Sequence, residues 1–556
     1  MNIVCATLNS KYIHSALSSW CIRAGIESFC EEKHNVYVVE STINSDLSTF
    51  VSEIIDKKPD VIAFSCYIWN IQKIIEASQI LKNSIDALIV LGGPEAENNY
   101  IEILDKHSTI DYIICGEGEW SFSDFINAYS KNNDLTECNG LCLRQNGTVV
   151  HKPAKAITET PPSPYVDDYF KQLNNRIVYI ESSRGCPFRC SYCLSGTIGK
   201  MRCFSLDQIK NDLVKLSNTG TKTIKFVDRT FNANTEHCNA LLSFILNEYG
   251  KNISKNVCFH FEFSGDIIKD STLELLKLMP KGLCQIEIGI QSFNKSTLDS
   301  INRSCDLIKL KKNILTLLSF NNIHIHTDLI AGLPFESLDS FKNTFNEAYN
   351  LKSHMLQLGF LKLLHGADFN AYTEQYKYNF TETPPYEVIS NRWLSHEDLT
   401  IIYNCEIALD KLYNSGRFLF SLDYIIRTCV NSPFEILSEF GKTLKADNIS
   451  LAEISERLFD YFGEFTDKAR LRENILCDLA SIDANIHIPE KLKIYSKEYK
   501  LLKKKYTELF KENIRIVECK SINKIYVVRS SAEKDLRNRR SGIYFDVWSI
   551  FRINED

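Results

Sequence analysis

In the first 130 residues, short and nearly continuous apolar runs are separated by amphipathic stretches of helix length. The runs Ile3–Leu8, Val36–Glu40, Val61–Ser65, Leu88–Gly92 and Tyr112–Cys115 read as strands buried on both faces. The stretches Asp46–Lys57 and Asn70–Lys82 carry the helical period between them. Strand–helix alternation predicts an α/β domain with a parallel sheet covered on both sides. Its ligand would lie beyond the carboxyl ends of the strands.

Residues 131–175 break this beat with Asn-Gly and Pro161-Pro-Ser-Pro164, which are turn and extended-chain signals, and the segment reads as a linker. Within it, Leu141–Leu143 and Thr148–His151 are expected to pair as a hairpin across Gln145-Asn-Gly147. The alternation resumes over residues 176–369. Strands are predicted at Ile177–Ser183, Thr223–Asp228, Val257–Ser264, Gln285–Gly289, Ile323–Ile330 and Leu356–Leu364. Helices are predicted near 207–219, 234–249, 270–279, 304–320 and 337–350. Six such units predict a partial (βα)6 barrel, with its chemistry in the loops that follow the strands. Residues 370–556 read as a mainly helical C-terminal domain, for example Lys491–Glu512, with two strands at Lys524–Arg529 and Gly542–Phe551.

The 556 residues are 44% hydrophobic and 24% charged, as in ordinary globular chains. A net charge of −6 gives no global attraction to nucleic acid or to an anionic membrane. No apolar run approaches the roughly 20 residues that span a bilayer. The start, Met1-Asn-Ile-Val-Cys-Ala-Thr-Leu8, has no basic region and enters a strand, so no signal peptide is expected. Nineteen dispersed cysteines point to a reducing, cytoplasmic setting. The basic runs Lys503–Lys505 and Arg537–Arg540 read as solvated faces, leaving nucleic acid unsupported as a partner.

The chemistry concentrates in Arg184-Gly-Cys-Pro-Phe-Arg-Cys-Ser-Tyr-Cys-Leu194, where Cys186, Cys190 and Cys193 follow the first barrel strand. Three thiolates on one loop can hold three irons of a cubane and leave the fourth open for chemistry. Tyr192 is placed to lay a ring beside an adenine. Gly185 and Pro187 shape the loop. This C-x3-C-x2-C pattern with an aromatic before the last cysteine resembles the radical SAM superfamily. The resemblance implies a [4Fe-4S] cluster whose open iron chelates S-adenosyl-L-methionine. The reduced cluster would cleave the sulfonium to methionine and a 5′-deoxyadenosyl radical.

Polar residues fall at the ends of the other barrel strands, where ligands bind. They are Asp228, Arg229 and Asn232 after the second, Glu262 and Ser264 after the third, and Glu287, Gln291 and Ser292 on the fourth. Asp328 and the turn Gly332-Leu-Pro334 close the fifth. The resemblance implies that the methionine amine is met near Asp228–Asn232 and the ribose near Glu287–Gln291 and Asp328–Gly332. The family's Gly-Gly-Glu triplet is missing after the second strand.

A flavodoxin-like domain ahead of such a barrel resembles the cobalamin-binding branch of the superfamily. Its marks are Leu91-Gly-Gly-Pro94, Gly116-Glu-Gly-Glu119 and the start Thr7-Leu-Asn-Ser-Lys-Tyr-Ile-His14. The resemblance implies a cobalamin pocket formed by Tyr12, Ser65, Gly92, Gly93, Pro94, Gly116, Glu117, Gly118 and Glu119. The cobalt-ligating Asp-x-His-x-x-Gly motif has only a partial match in Asp105-Lys-His-Ser-Thr-Ile110, which reads as a surface helix end. His14 is an alternative lower ligand or a plain polar contact.

The branch implies methylation of an unactivated carbon of a substrate the sequence does not name. Methylcobalamin would give its methyl to a substrate radical, and a donor such as flavodoxin or ferredoxin would reduce the cluster. Radical cyclisation, rearrangement or oxidation is the alternative outcome, and a cobalamin or redox sensor is a further one. Methylthiotransfer fits less well, because it requires a second N-terminal cysteine triplet. The C-terminal domain is expected to cover the barrel mouth and help choose the substrate.

Overall fold

Successive side chains of a strand point to opposite faces, and the first strand shows the consequence. In the computed structural model, β1 (Asn2–Asn9) sends Ile3 and Cys5 into a core with Ile26, Phe122 and Phe125. It sends Val4, Ala6 and Leu8 into a second core with Phe50, Ile54, Ile74 and Leu81. A strand buried this way has to be apolar at every position, which is why the runs are continuous. The described residues are 1–173, 175–196, 200–444, 449–483, 486–493, 499–510, 514–522, 524–529, 536 and 543–546. The basic run Arg537–Arg540, Gly542, and residues 547–551 of the last predicted strand lie outside them.

The chain divides into two compact units. Unit 1 comprises residues 1–285, 301–304 and 362–388. Its first sheet adds β2 (Asn35–Thr42), β3 (Val61–Ser65), β4 (Leu88–Gly92) and β5 (Tyr112–Ile114) to β1, all parallel. The order β2-β1-β3-β4-β5 is the flavodoxin-like one, with its switch point between β1 and β3. The helices Ser18–Phe29 and Gly118–Ser130 cover one face, and Leu47–Ile55 and Ile71–Ser84 the other.

The hairpin β6 (Leu141–Gln145) and β7 (Thr148–His151) lies within the stretch taken as a linker, yet it continues this sheet. β6 pairs antiparallel with β5, burying Leu141 and Cys142, so the domain's sheet extends past residue 130. The proline run is also packed. Gln208 Nε2 donates to the Pro161 carbonyl at 2.9 Å, and Ser163 Oγ donates to Asp212 at 2.8 Å.

Later in unit 1, β8 (Ile177–Ile180), the short β9 (Ser183–Arg184) and β10 (Arg202–Cys203), β11 (Thr223–Phe226) and β12 (Cys258–Phe263) follow in chain order. β11 pairs parallel with both β8 and β12, while β9 and β10 pair antiparallel. Phe226, Phe231, Phe261 and Phe263 stack behind them with centroids 4.5–6.2 Å apart. The buried Arg176 ties β8 to the first sheet, donating to the Tyr12 carbonyl at 3.0 Å and to Glu40 at 2.8 Å.

Unit 2 comprises residues 286–300, 305–361 and 389–556. It holds most of β13 (Cys284–Gln291), with β14 (His324–Ala331) paired parallel to β15 (Met355–Phe360). Helices Leu307–Ser319 and Leu338–Asn350 are capped by the side chains of Asp306 and Ser337, residue types favoured at that position. Its later part is helical from His396–Ala408 through Lys468–Ile482. There the buried Asp478 accepts hydrogen bonds from Phe420 N, Ser421 N and Ser421 Oγ at 2.6–2.9 Å. The predicted helix Lys491–Glu512 is described over Tyr499–Phe510. Three antiparallel strands follow at Ile514–Cys519, Lys524–Arg529 and Ile543–Asp546, the first of them unpredicted. Among the described residues, no helix is long and apolar enough to cross a membrane.

Candidate active site

The cysteine loop leaves β9 through Gly185, whose φ of +92° is left-handed backbone open to glycine. A Cβ there would lie 3.1 Å from the Lys200 carbonyl, so the loop is also tightly packed at its root. Cys190 is buried, and Cys186 and Cys193 are partly exposed. All three are free thiols. The loop is pinned by Cys193 N donating to the Cys190 carbonyl at 3.0 Å and by Ser191 N donating to the Ile301 carbonyl at 2.9 Å. Arg303 Nη1 lies 3.9 Å from Cys190 Sγ, and Thr230 Oγ1 lies 3.5 Å from Cys186 Sγ. Burial pushes the Cys190 thiol up, and the Arg303 guanidinium opposes it. Burial also raises the Tyr192 hydroxyl, again against Arg303. The arrangement presents soft sulfur donors with a cation beside them, which suits an anionic iron–sulfur cluster.

Arg184, two residues before Cys186, is held by three carboxylates. Its guanidinium meets Glu181 at 2.7 and 3.0 Å, Glu119 at 2.9 Å, and Glu117. Arg202 on β10 also holds Glu117, at 2.7 and 2.8 Å. Burial alone would raise the Glu119 carboxyl, but Arg184 outweighs it and holds the group below its ordinary value. Glu117 and Glu119, read from sequence as lining a cobalamin pocket, are thus turned towards two arginines of the barrel half. Gly118 lies against Ile22, whose Cδ1 would be 2.3 Å from an added Cβ. Gly116 lies similarly against Ala154.

The other pocket candidates stand at the carboxyl ends of β1, β3 and β4. Tyr12 is 72% exposed and Trp69 45% exposed, with Ile13 beside Tyr12 in the chain. Tyr67 stacks on Trp69 with centroids 4.4 Å apart. Ser65 is buried, its carbonyl accepting from Asn70 Nδ2 at 3.0 Å. Gly93 has φ +96°, and a Cβ would meet the Cys66 carbonyl at 2.6 Å, so only glycine makes this elbow between Gly92 and the Pro94–Glu97 turn. Exposed aromatic and apolar side chains at the switch point suit a broad, flat ligand. His14 Nδ1 is 2.6 Å from Tyr179 Oη, and burial lowers its pKa. His107 ends the helix Tyr100–Lys106, as expected of that segment.

At the barrel strand ends of unit 1, Asp228 accepts from Ser182 N, Ser182 Oγ and Ser183 Oγ at 2.6–2.8 Å. Burial pushes its carboxyl up to about 6, against these donors. It therefore anchors the strand end just before the cysteine loop. Asn232 and Ser264 pair with each other: Asn232 Nδ2 donates to the Ser264 carbonyl and Ser264 N donates to Asn232 Oδ1, both at 2.9 Å. Glu262 lies 3.6 Å from Lys225 Nζ and is partly exposed.

In unit 2, Glu287 and Asp328 come together around His326, which sequence reading passed over. His326 Nε2 is 3.0 Å from Asp328 Oδ1, and its Nδ1 is 3.9 Å from Glu287 Oε2. Residues 326 and 328 share one face of β14, a period-two signal that was available in the sequence. Gln291 sits at φ +70° where β13 ends, and Gly332 at φ +92° accepts from Asn391 Nδ2 at 2.9 Å. Glu336, also missed, is fully buried and accepts from Ser292 Oγ at 2.6 Å and Thr344 Oγ1 at 2.7 Å. Burial pushes its carboxyl up to about 7.

Three stretches of the chain match known protein families. Residues 4–126 match the family described as B12 binding domain, and residues 180–348 match the Radical SAM superfamily. Residues 374–537 match a family described as a protein of unknown function (DUF4080). A 2-(S-pantetheinyl)-carbapenam-3-carboxylate methyltransferase of Streptantibioticus cattleyicolor is 24% identical over 53% of this chain and 46% of its own. The cobalamin-dependent radical SAM methyltransferase TokK of Streptomyces tokunonensis is 25% identical over 59% of this chain and 50% of its own. The chain thus spans about half the length of these two curated relatives. The solved structure of the cobalamin-dependent S-adenosylmethionine radical enzyme OxsB, with aqua-cobalamin and S-adenosylmethionine bound, shares the fold. Its TM-score is 0.59 at 14% identity, covering 94% of this chain and 77% of that one. The chain is built from a B12-binding domain followed by a radical SAM domain, with a further, largely helical region after them in the sequence.

Proposed function

We propose that this chain is a cobalamin-dependent radical SAM methyltransferase acting on an unactivated carbon. One observation carries the reading: the Gly116–Glu119 loop of the B12-binding domain grips Arg184, two residues ahead of Cys186, through Glu117 and Glu119. The loop of one domain thereby fixes the root of the cysteine loop of the other.

Cys186, Cys190 and Cys193 would hold three irons of a [4Fe-4S] cluster, and Tyr12, Trp69 and the Gly93 elbow would border cobalamin. Bound there, the cluster with S-adenosyl-L-methionine and the cobalamin supply one-electron cleavage of a sulfonium and a transferable methyl group. The chain's own residues hold and orient. Arg303 places positive charge beside the Cys190 sulfur and favours its thiolate. Asp228 fixes Ser182 and Ser183, and through them the entry to the cysteine loop. Glu287, His326 and Asp328 offer polar atoms suited to ribose hydroxyls or a zwitterionic amine. A cytoplasmic setting with flavodoxin or ferredoxin as reductant fits nineteen unpaired thiols.

The test is anaerobic purification, reconstitution with iron, sulfide and cobalamin, and assay of S-adenosyl-L-methionine products. The expected result is bound cluster, stoichiometric cyanide-extractable cobalamin, and 5′-deoxyadenosine formation that disappears in a Cys186→Ala/Cys190→Ala/Cys193→Ala variant. A reconstituted protein that takes up the cluster and no cobalamin overturns the methyl-transfer half. Deoxyadenosine without any methylated product, substrate being supplied from candidate libraries, moves the reading to cyclisation, rearrangement or oxidation.

A further inference from the structure

Away from this site, two strand partners and a strand end bring three soft donors together. Cys142 on β6 stands opposite Ile113 on β5 and opposite His151 on β7. Cys115 follows Ile113 by two residues, so the pleat sends it to the same face as Cys142 and His151. The result is Cys115 Sγ at 3.4 Å from Cys142 Sγ, with a His151 ring nitrogen and both sulfurs all within 4.8 Å of one another. Both cysteines are buried, and His151 is exposed at the rim, its ring 5.1 Å from that of Tyr100.

We propose that Cys115, Cys142 and His151 form a structural binding site for a thiophilic divalent cation, with zinc as the best match. Two zinc–sulfur bonds of about 2.3 Å at a tetrahedral angle set the sulfurs about 3.8 Å apart, close to the spacing found here. A disulfide would require about 2.05 Å. Two thiolates and an imidazole select zinc over magnesium or calcium, which take oxygen. Binding releases the two thiol protons, because the ligands are thiolates.

The site has a consequence for the loop beside it. Cys115 immediately precedes Gly116–Glu119, and Gly116 N donates to Glu97 Oε1 at 3.0 Å. A cation on Cys115 pins the start of that loop to the β6–β7 hairpin. The inference stands independently of the proposed reaction.

The test uses the full-length chain with its iron–sulfur cluster reconstituted, incubated with zinc chloride and freed of loose metal. Zinc content is read by mass spectrometry, and the zinc K-edge X-ray absorption spectrum, which iron and cobalt do not obscure, gives the ligands. The expected result is about one zinc per chain, with two sulfur neighbours near 2.3 Å and a nitrogen near 2.0–2.1 Å. Content should fall to background in Cys142→Ser. Affinity should fall at least about tenfold in His151→Ala, whose exposed side chain can be removed without disturbing the core. No zinc uptake, a shell of three sulfurs as the cluster cysteines would give, unchanged zinc in His151→Ala, or a Cys115–Cys142 disulfide in the anaerobic protein would each overturn it.

Discussion

Arg184→Met tests the junction between the two loops. The side chain it removes is buried to 18% exposure and shared by Glu117, Glu119 and Glu181. The three carboxylates do not suffer equally. Glu117 keeps Arg202, and Glu181 is as accessible as Arg184 itself, whereas Glu119 is only 4% exposed and its ion pair is with Arg184. Removing one partner of a buried pair costs about 3–5 kcal/mol, because the remaining charge is left without compensation. At about 1.4 kcal/mol per decade this is about a 10²- to 4 × 10³-fold loss of local protection. Amide exchange over residues 112–126 and 177–196 reads it directly, without requiring a 556-residue chain to unfold in one step. Cluster loading should fall in parallel, since Cys186 follows Arg184 by two residues.

The sign of the pH dependence sharpens the test. In the wild type Glu119 is held below its ordinary value, so its contribution is complete above the unfolded pKa and fades as pH falls through the lowered folded one. Without Arg184, burial, the largest influence, is opposed only by a backbone hydrogen bond and the more distant Arg202, and it lifts the carboxyl above the unfolded value. The penalty is then full at neutral pH and disappears on acidification. The gap between wild type and Arg184→Met must therefore narrow from pH 7.5 to pH 5. Glu119→Gln in the Arg184→Met background should recover about 2 kcal/mol, a coupling typical of contacting groups. Equal gaps at both pH values, or strictly additive single variants, would refute the reasoning.

Two further predictions concern buried polar groups. Asn232→Leu strips partners from both Ser264 backbone groups and should cost about 2–4 kcal/mol, while Ser264→Ala, which loses only its bond to Asp266, should cost about 1 kcal/mol or less in urea titrations. Glu336, raised from an ordinary 4.5 to about 7, binds its proton more tightly when folded, so stability should fall as pH rises between those values; Glu336→Gln should flatten that slope in melts from pH 4.5 to 8.

Much of the fold can be read from the chain because a strand buried on both faces leaves no alternative pattern. Val61–Ser65 and Leu88–Gly92 are found with the bounds their apolar runs predict. The miss at Ile514–Cys519 has the opposite cause: Arg515 and Glu518 interrupt a short run directly behind a charged helix, and the helical period dominates the window. The three cysteines proposed to hold the cluster are legible because their spacing is local. Thr230 and Arg303, which stand beside Cys186 and Cys190, are 44 and 113 residues away, and no spacing rule connects them. Glu117 and Glu119 stand out in the Gly-Glu-Gly-Glu motif, but their cations, Arg184 and Arg202, lie 65–85 residues on. A sequence displays charges; only the fold selects their partners.

That selection also explains why the junction is ionic. A buried ion pair of this kind is seldom more stable than apolar side chains of equal volume, so stability alone does not account for four charged groups there. Apolar packing would hold the two loops together without fixing their angle. The planar guanidinium does fix it, since its donors must point along set directions to reach Glu181 from Nε and Nη2 and Glu119 from Nη2 and Nη1. A loop proposed to present three sulfurs to one cluster needs orientation more than adhesion. An apolar replacement such as Arg184→Met with Glu119→Leu would then keep the fold and still lose cluster occupancy, separating the two roles of this contact.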